Sequence, residues 1–160
     1  MRGLYVGVVV FSFLAALLLA PAAQASQSIP VSGSFYPTTP GPITYDEFFF
    51  WDDWIIIQTW EFELTGTFSG IAVVEQMVVI ELDTGKVEGL DAVYFTGTIA
   101  GESGFYMGLH EWTVVGEFAE GTWQIFIGTR GSANLEGEGT FVTDFETGIG
   151  TLSGYIEFDD

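Results

Sequence analysis

His110 is the only histidine in the 160-residue chain, and the chain contains no cysteine. A two-histidine metal site and a thiolate zinc site are therefore excluded. A serine hydrolase would have to use His110 as its base, but the chain has no Gly-x-Ser-x-Gly elbow. His110 alternates with Gly108 and Trp112, which places it beside an aromatic ring on one strand face. We interpret it as either a hydrogen-bonded or solvated strand residue or a polar anchor in a ligand pocket.

Carboxylates are too abundant to mark a site, because 22 Asp and Glu residues stand against three Lys and Arg residues. Same-face acidic pairs such as Glu136 and Glu138 are typical of a solvated strand, so a glycosidase pair is not assigned. The segments 83–85 and 144–148 lack the ligand spacing of a calcium loop and are typical of hairpin turns. The sequence therefore predicts no catalytic residue, no metal and no cofactor.

Aromatic side chains, which make up 16% of the chain, are the strongest candidates for binding a molecule. They could line a pocket in the interior of a β-barrel, where about one small ligand fits between eight strands. Simple core packing is the main alternative, and a sugar-binding aromatic ladder is a further one. The predicted ligand-binding residues are Trp60, Phe62, Phe105, His110, Trp112 and Trp123.

The elements that position these residues are β-strands. From residue 29 onward, β-branched and aromatic residues alternate with polar ones, glycine and proline interrupt the pattern, and helix signals are absent. Trp60 and Phe62 alternate with Glu61 and Glu63, which predicts one inward and one outward face. The predicted strands are 29–37, 54–65, 67–82, 91–100, 104–118, 121–128, 132–143 and 148–158.

Short glycine turns between consecutive strands favour an antiparallel up-and-down order. Closing such a sheet removes the unpaired edges that would otherwise invite aggregation. We therefore predict an all-β fold, a single closed antiparallel barrel of about eight strands. The long connection 37–53 contains the aromatic run 48–51. We expect this run to pack as a lid or plug in the barrel mouth, with a functional loop as the alternative.

The charge of the chain excludes one class of partner. A net charge of −19 and a pI near 4.1 leave no basic surface to neutralise phosphates, so nucleic acid is excluded.

The N-terminal segment has the pattern of an export signal. Arg2 precedes an apolar run from Leu4 to Ala20 and the small-x-small sequence at 23–25. These features predict a signal peptide at 1–25 and a secreted or periplasmic mature domain at 26–160. An uncleaved membrane anchor is the alternative, and no membrane span is expected after the signal is removed.

A glycine-rich pattern covers about residues 92–142. It contains Phe95-Thr96-Gly97-Thr98-Ile99-Ala100-Gly101-Glu102-Ser103-Gly104-Phe105 and later Gly128-Thr129-Arg130-Gly131-Ser132-Ala133-Asn134-Leu135-Glu136-Gly137-Glu138-Gly139-Thr140-Phe141. This pattern resembles the small bacterial barrels related to allene oxide cyclase and to dirigent proteins. The resemblance implies a calycin-like barrel with an apolar lumen, and it implies a possible homo-oligomer. Allene oxide cyclase uses an asparagine to hold a water molecule in its site. The only asparagine of this chain, Asn134, lies inside the glycine run, so the resemblance does not place that water site at any other position.

Three functions fit the sequence. The first is a non-enzymatic barrel that binds a small apolar ligand in its lumen. The second is an isomerase or cyclase of the allene oxide cyclase type, and the third is a structural or adhesive extracellular module with a filled barrel. We expect a catalytic barrel to place an inward carboxylate beside an open cavity, a carrier to have an open cavity without one, and a structural module to have no cavity.

Overall fold

The computed structural model describes residues 27–159, and the predicted signal peptide at 1–25 lies outside them. Nine β-strands and no helix occur in this described part of the chain. The strands are β1 (Gln27–Pro37), β2 (Thr44–Phe50), β3 (Asp53–Gly66), β4 (Phe68–Glu81), β5 (Val87–Ile99), β6 (Glu102–Val115), β7 (Phe118–Arg130), β8 (Ala133–Asp144) and β9 (Gly150–Asp159).

All strand pairs are antiparallel, and each strand from β3 to β9 pairs with its neighbours in sequence. Strand β1 closes the sheet because it pairs with β9 along one edge and with β3 along the other. Gly33 lies at this seam, opposite both Leu152 and Gly66. The result is a closed ring of eight strands, which confirms the predicted all-β antiparallel order and the closure.

The ring has two different ends. The turns after β3, β5 and β7 lie at one end, together with the start of β1 and the end of β9. We call this the closed end. The connections 38–43, 82–86, 116–117 and 145–149 lie at the opposite end, which we call the open end.

The eight predicted strands are present with shifted boundaries, but the expectation for the connection 37–53 is wrong. It contains the additional strand β2, which pairs with the first half of β3. All seven residues of β2 are exposed, so the aromatic run is neither a lid nor a plug in the ring. The reason is that the second half of β3 pairs with β1, which leaves the edge of its first half free to accept β2.

The interior of the closed end is packed with aromatic rings. Phe95 stacks on Tyr106 with ring centroids 5.1 Å apart, and Phe68 contacts Phe95, Tyr106 and Trp123 at 5.1–6.0 Å. We call these four residues the aromatic floor. Ile99, Leu135 and Ile156, each at most 2% exposed, lie nearer to the turns of the closed end. This end of the ring is therefore solid.

The Lys and the Arg side chain of residues 27–159 each pair with a glutamate. Lys86 pairs with Glu88 at 2.6 Å, and Arg130 pairs with Glu102 at 3.0 Å. Residues 27–159 contain no helical segment that could span a bilayer.

Candidate functional site: a cavity inside the strand ring

A cavity of about 410 Å3 occupies the open half of the ring. Tyr106, at the top of the aromatic floor, forms part of its lining. Residues 39–40 and 144–148, from the β1–β2 and β8–β9 connections, border it at the open end. The cavity therefore lies between the packed closed end and these two connections.

Small side chains on the inner face leave room for the cavity. Ala72, Val74 and Val93 line it on β4 and β5, and Gly108 on β6 pairs directly with Val93. Larger apolar side chains surround this space from β1, β3, β8 and β9. They are Phe35, Trp60, Phe62, Leu64, Phe141 and Leu152.

A row of four polar side chains crosses the inner face of β3, β4, β5 and β6. Gln58 pairs with Gln76, Gln76 pairs with Asp91, and Asp91 pairs with His110. All four side chains line the cavity, and we call them the polar row. Directly opposed residues share a sheet face, so the ladder register brings the four side chains together.

Asp91 is the buried charged residue of the described chain, with 5% of its surface exposed. Its Oδ1 accepts a hydrogen bond from the Trp112 Nε1 at 2.9 Å. Burial raises the pKa of Asp91 to about 6, although hydrogen bonds from Trp112 and Gln76 act in the opposite direction. The carboxylate is therefore ionised at neutral pH and close to its titration range.

Gly89 makes the contact between Trp112 and Asp91 possible. It pairs directly with Trp112, and a Cβ at position 89 would lie 2.0 Å from the indole ring. The indole can therefore lie flat across β5 and reach Asp91, its diagonal neighbour on the same face.

His110 lies at the end of the polar row, 5.2 Å from the Phe141 ring between centroids. Burial lowers the pKa of His110 to about 4, so its imidazole is neutral at pH 7. A neutral imidazole offers one hydrogen-bond donor and one acceptor. His110 can therefore bind either type of polar group without adding charge to the cavity.

Two hydroxyl groups also reach the cavity. Tyr106 is 5% exposed, and burial raises the pKa of its hydroxyl, which keeps it neutral. Thr143 lines the cavity from β8, and its buried Oγ1 has no hydrogen-bond partner among the described residues. Both hydroxyls can donate to a bound polar atom.

The structure brings together four of the six residues that the sequence singled out. Trp60, Phe62, His110 and Trp112 all line the cavity. Phe105 does not, because its side chain is 40% exposed on the outer face of β6.

Trp123 also lies away from the cavity lining, although it faces the interior of the ring. It packs below the cavity in the aromatic floor, and its Nε1 donates to the Ser153 carbonyl. Its indole lies over Gly139, where a Cβ would be 2.6 Å away.

Sequence reasoning missed Gln58, Gln76, Asp91 and Tyr106. The alternation contained a signal for two of them, since Gln58 shares its face with Trp60 and Phe62, and Asp91 shares its face with Val93. A lone polar residue on an otherwise apolar face marks a candidate site. The pairing of these faces was not visible in the sequence.

No group of three or more His, Asp or Glu side chains in residues 27–159 is arranged to hold a metal ion. No protein-family model matches the chain, and no curated protein matches it either.

Proposed function

We propose that the strand ring binds a small, largely apolar molecule in its cavity. The observation that carries this proposal is a cavity of about 410 Å3 with aromatic and aliphatic walls and a packed floor. Pockets for small molecules measure about 300–1,000 Å3 and combine apolar walls with a few polar groups. The polar row supplies groups of that kind on one wall.

Titration with an apolar fluorescent probe tests this function. We expect saturable binding of one probe per chain and quenching of tryptophan emission, because Trp60 and Trp112 line the cavity. Trp60→Ala should weaken binding severalfold, whereas Trp51→Ala should leave it unchanged, since Trp51 is 87% exposed on the β2–β3 turn. Circular dichroism of both variants controls for loss of the fold. Absence of saturable binding, or equal effects of the two variants, would contradict the proposal.

A second candidate function is proton-transfer catalysis, as in an isomerase or cyclase. Asp91 favours it, because this inward carboxylate beside a cavity is the feature that we expect of a catalytic ring and not of a carrier. A general base works best when its pKa is near the operating pH, and burial moves the pKa of Asp91 in that direction. Ligand binding remains the first candidate because the cavity and its apolar walls support it directly, whereas catalysis is supported by the single side chain of Asp91.

Proton exchange distinguishes the two candidates without knowledge of the substrate. An apolar ketone with acidic α-hydrogens is incubated with the protein in deuterated water, and exchange is followed by NMR. Catalysis predicts faster exchange with the wild type than with Asp91→Asn, at equal ketone occupancy. Exchange at the rate of the protein-free solution would reject catalysis of this type and leave the binding function intact.

The third candidate, a structural or adhesive module, requires a filled interior and is not supported by the cavity.

We also propose that the chain is related to the allene oxide cyclase-like barrels and forms a homo-oligomer. The resemblance of its glycine-rich pattern to those barrels is the basis of this proposal. Native mass spectrometry of the purified protein reports bound ligand and subunit number together, and a dimer or trimer is the expected result.

We also propose that the chain is exported and cleaved after Ala25. The basic start, the apolar run and the small-x-small sequence support this proposal. N-terminal sequencing of the protein from the culture medium or periplasm should start at Ser26. Recovery of Met1 in the membrane fraction would contradict cleavage.

A further inference from the structure

Asp91 accepts hydrogen bonds from its neighbours on the inner face of the ring. Gln58 donates to the Gln76 side-chain oxygen, and Trp112 and Gln76 both donate to Asp91. A carboxylate has about four lone-pair positions. Asp91 therefore retains acceptor capacity beside the cavity that it lines.

The charge of Asp91 has no cationic partner among residues 27–159. Lys86 and Arg130 are the Lys and Arg residues of this range, and they pair with Glu88 and Glu102 instead of Asp91. A buried carboxylate without a cation is costly, and a cation placed beside it recovers part of that cost.

The surroundings of the cavity also favour a cation and oppose an anion. Asp144 and Glu146 border its open end, and the whole chain carries a net charge of −19. Negative charges around a cleft raise the local concentration of cations and lower that of anions. The indole rings of Trp60 and Trp112 line the same cavity, and aromatic faces attract cations.

From this arrangement we infer that the cavity selects apolar molecules that carry an amine or ammonium group, and that this group pairs with Asp91. The inference rests on the proposed binding function and names the chemical class of its ligand. The apolar body of the ligand packs against Trp60 and Phe62, while its charged end faces the polar row. The neutral imidazole of His110 accepts a hydrogen bond from the same group without repelling it.

Three shape-matched naphthalene probes test the inference: 1-naphthylmethylammonium, 1-naphthalenemethanol and 1-naphthoate. Their affinities are measured by calorimetry near pH 7 and at about 0.15 M salt, where surface charges are screened over about 8 Å. We expect the ammonium probe to bind about tenfold more tightly than the alcohol, which corresponds to about 1.4 kcal/mol. The carboxylate probe should bind most weakly.

Asp91→Asn is the decisive variant, and Glu75→Gln is its control. Both remove one negative charge, but Glu75 is exposed on the outer face of β4, next to Gln76. Asp91→Asn should lower the affinity for the ammonium probe to about that of the alcohol, a change of about tenfold, and leave the alcohol affinity unchanged. Glu75→Gln should leave the ranking of the probes as in the wild type.

A second measurement uses the unmodified protein in case Asp91→Asn does not fold. The Trp112 indole N–H resonance, assigned by its loss in Trp112→Phe, reports on the Asp91 carboxylate through their hydrogen bond. The ammonium probe should shift this resonance, and the alcohol should shift it much less.

The outcomes separate the two levels of the proposal. Equal affinities for all three probes, or an ammonium preference that Asp91→Asn leaves unchanged, would overturn the inferred ligand class and leave the binding function standing. Tighter binding of the alcohol than of the ammonium probe would also overturn the inferred ligand class. It would indicate that the cavity prefers ligands with a neutral hydrogen-bond donor. Failure of every probe to bind would overturn the binding function itself.

Discussion

Asp91 and Trp112 form the contact on which the polar side of the cavity depends. Asp91 is 5% exposed and Trp112 is 7% exposed, and their hydrogen bond measures 2.9 Å. A buried acceptor that loses its donor is left with an uncompensated desolvation cost. The pair therefore stabilises the position of the carboxylate and the orientation of the indole at the same time.

Trp112→Phe removes the donor and keeps an aromatic ring. We expect it to lower the free energy of unfolding by about 1–3 kcal/mol, because the charged acceptor loses a buried hydrogen bond. Urea denaturation near pH 7 measures the change. A double-mutant cycle with Asp91→Ala isolates the pair, and a coupling energy of zero would show that the contact adds nothing to stability.

Asp91 should make the fold more stable in mild acid. Its pKa is about 6 in the fold against 3.8 for the free side chain, so the folded state binds more protons between these values. Stability from this group is present below pH 4 and is lost as the pH rises through about 6. The full contribution is about 3 kcal/mol. Asp91→Asn should therefore become more stable relative to the wild type as the pH rises from 4 to 7, and a constant difference would reject the shifted pKa.

His110 should act in the opposite direction. Its pKa is about 4 in the fold against 6.5 for the free side chain, so the unfolded state binds more protons in this range. The neutral imidazole therefore stabilises the fold above about pH 6.5, and this stabilisation, about 3 kcal/mol in full, is lost as the pH falls towards 4. His110→Gln should remove this acid-dependent loss in urea denaturation between pH 7 and 4. An unchanged pH profile in this variant would show that His110 titrates equally in both states.

At the scale of elements, the ring and β2 differ in how their aromatic residues contribute. Phe95 in β5 is 2% exposed in the aromatic floor, whereas Phe49 in β2 is 68% exposed and stacks on Trp54 with centroids 6.1 Å apart. Burial of apolar surface provides most of the stabilisation from such side chains. The run of aromatics in β2 therefore contributes little to the stability of the ring.

Two identical truncations test this difference. Phe95→Ala should lower the free energy of unfolding by about 3–5 kcal/mol, since it leaves a void in a packed interior. Phe49→Ala should cost less than about 1 kcal/mol, because the side chain is exposed before and after the change. Chemical denaturation of both variants gives the comparison. A cost for Phe49→Ala as large as that for Phe95→Ala would mean that β2 is buried in solution.

At the scale of the whole molecule, net charge is the dominant feature. A charge of −19 over 160 residues produces repulsion that favours expansion of the chain. Salt weakens this repulsion over a screening length of about 8–10 Å at physiological ionic strength.

Thermal unfolding should therefore shift to higher temperature as sodium chloride is raised from millimolar to molar concentration. The same series near pH 3 is the control, because most carboxylates are then protonated and the salt effect should shrink. A melting temperature that stays flat or falls with salt near pH 7 would show that the carboxylates are spaced too far apart to repel each other.

The sequence by itself determined the strands and the face on which most side chains lie. Alternation with period two is a property of each strand alone, so it placed Trp60 and Phe62 on an inward face without knowledge of the neighbours. Glycine turns implied antiparallel order for the same local reason. The alternation also separates Phe105 from His110 and Trp112, since an odd position in β6 faces outward.

Only the tertiary structure decided which faces meet and where space remains. Ladder register aligns Gln58, Gln76, Asp91 and His110 across four strands, and a shift of one residue would turn a strand's side chains to the other face. Trp123 fills the floor instead of lining the cavity because Gly139 on the neighbouring strand leaves room for its indole. Strand β2 exists because β1 covers only part of the β3 edge. The first two outcomes depend on contacts between residues that are distant in sequence, and the third depends on how far β1, another distant segment, extends along β3.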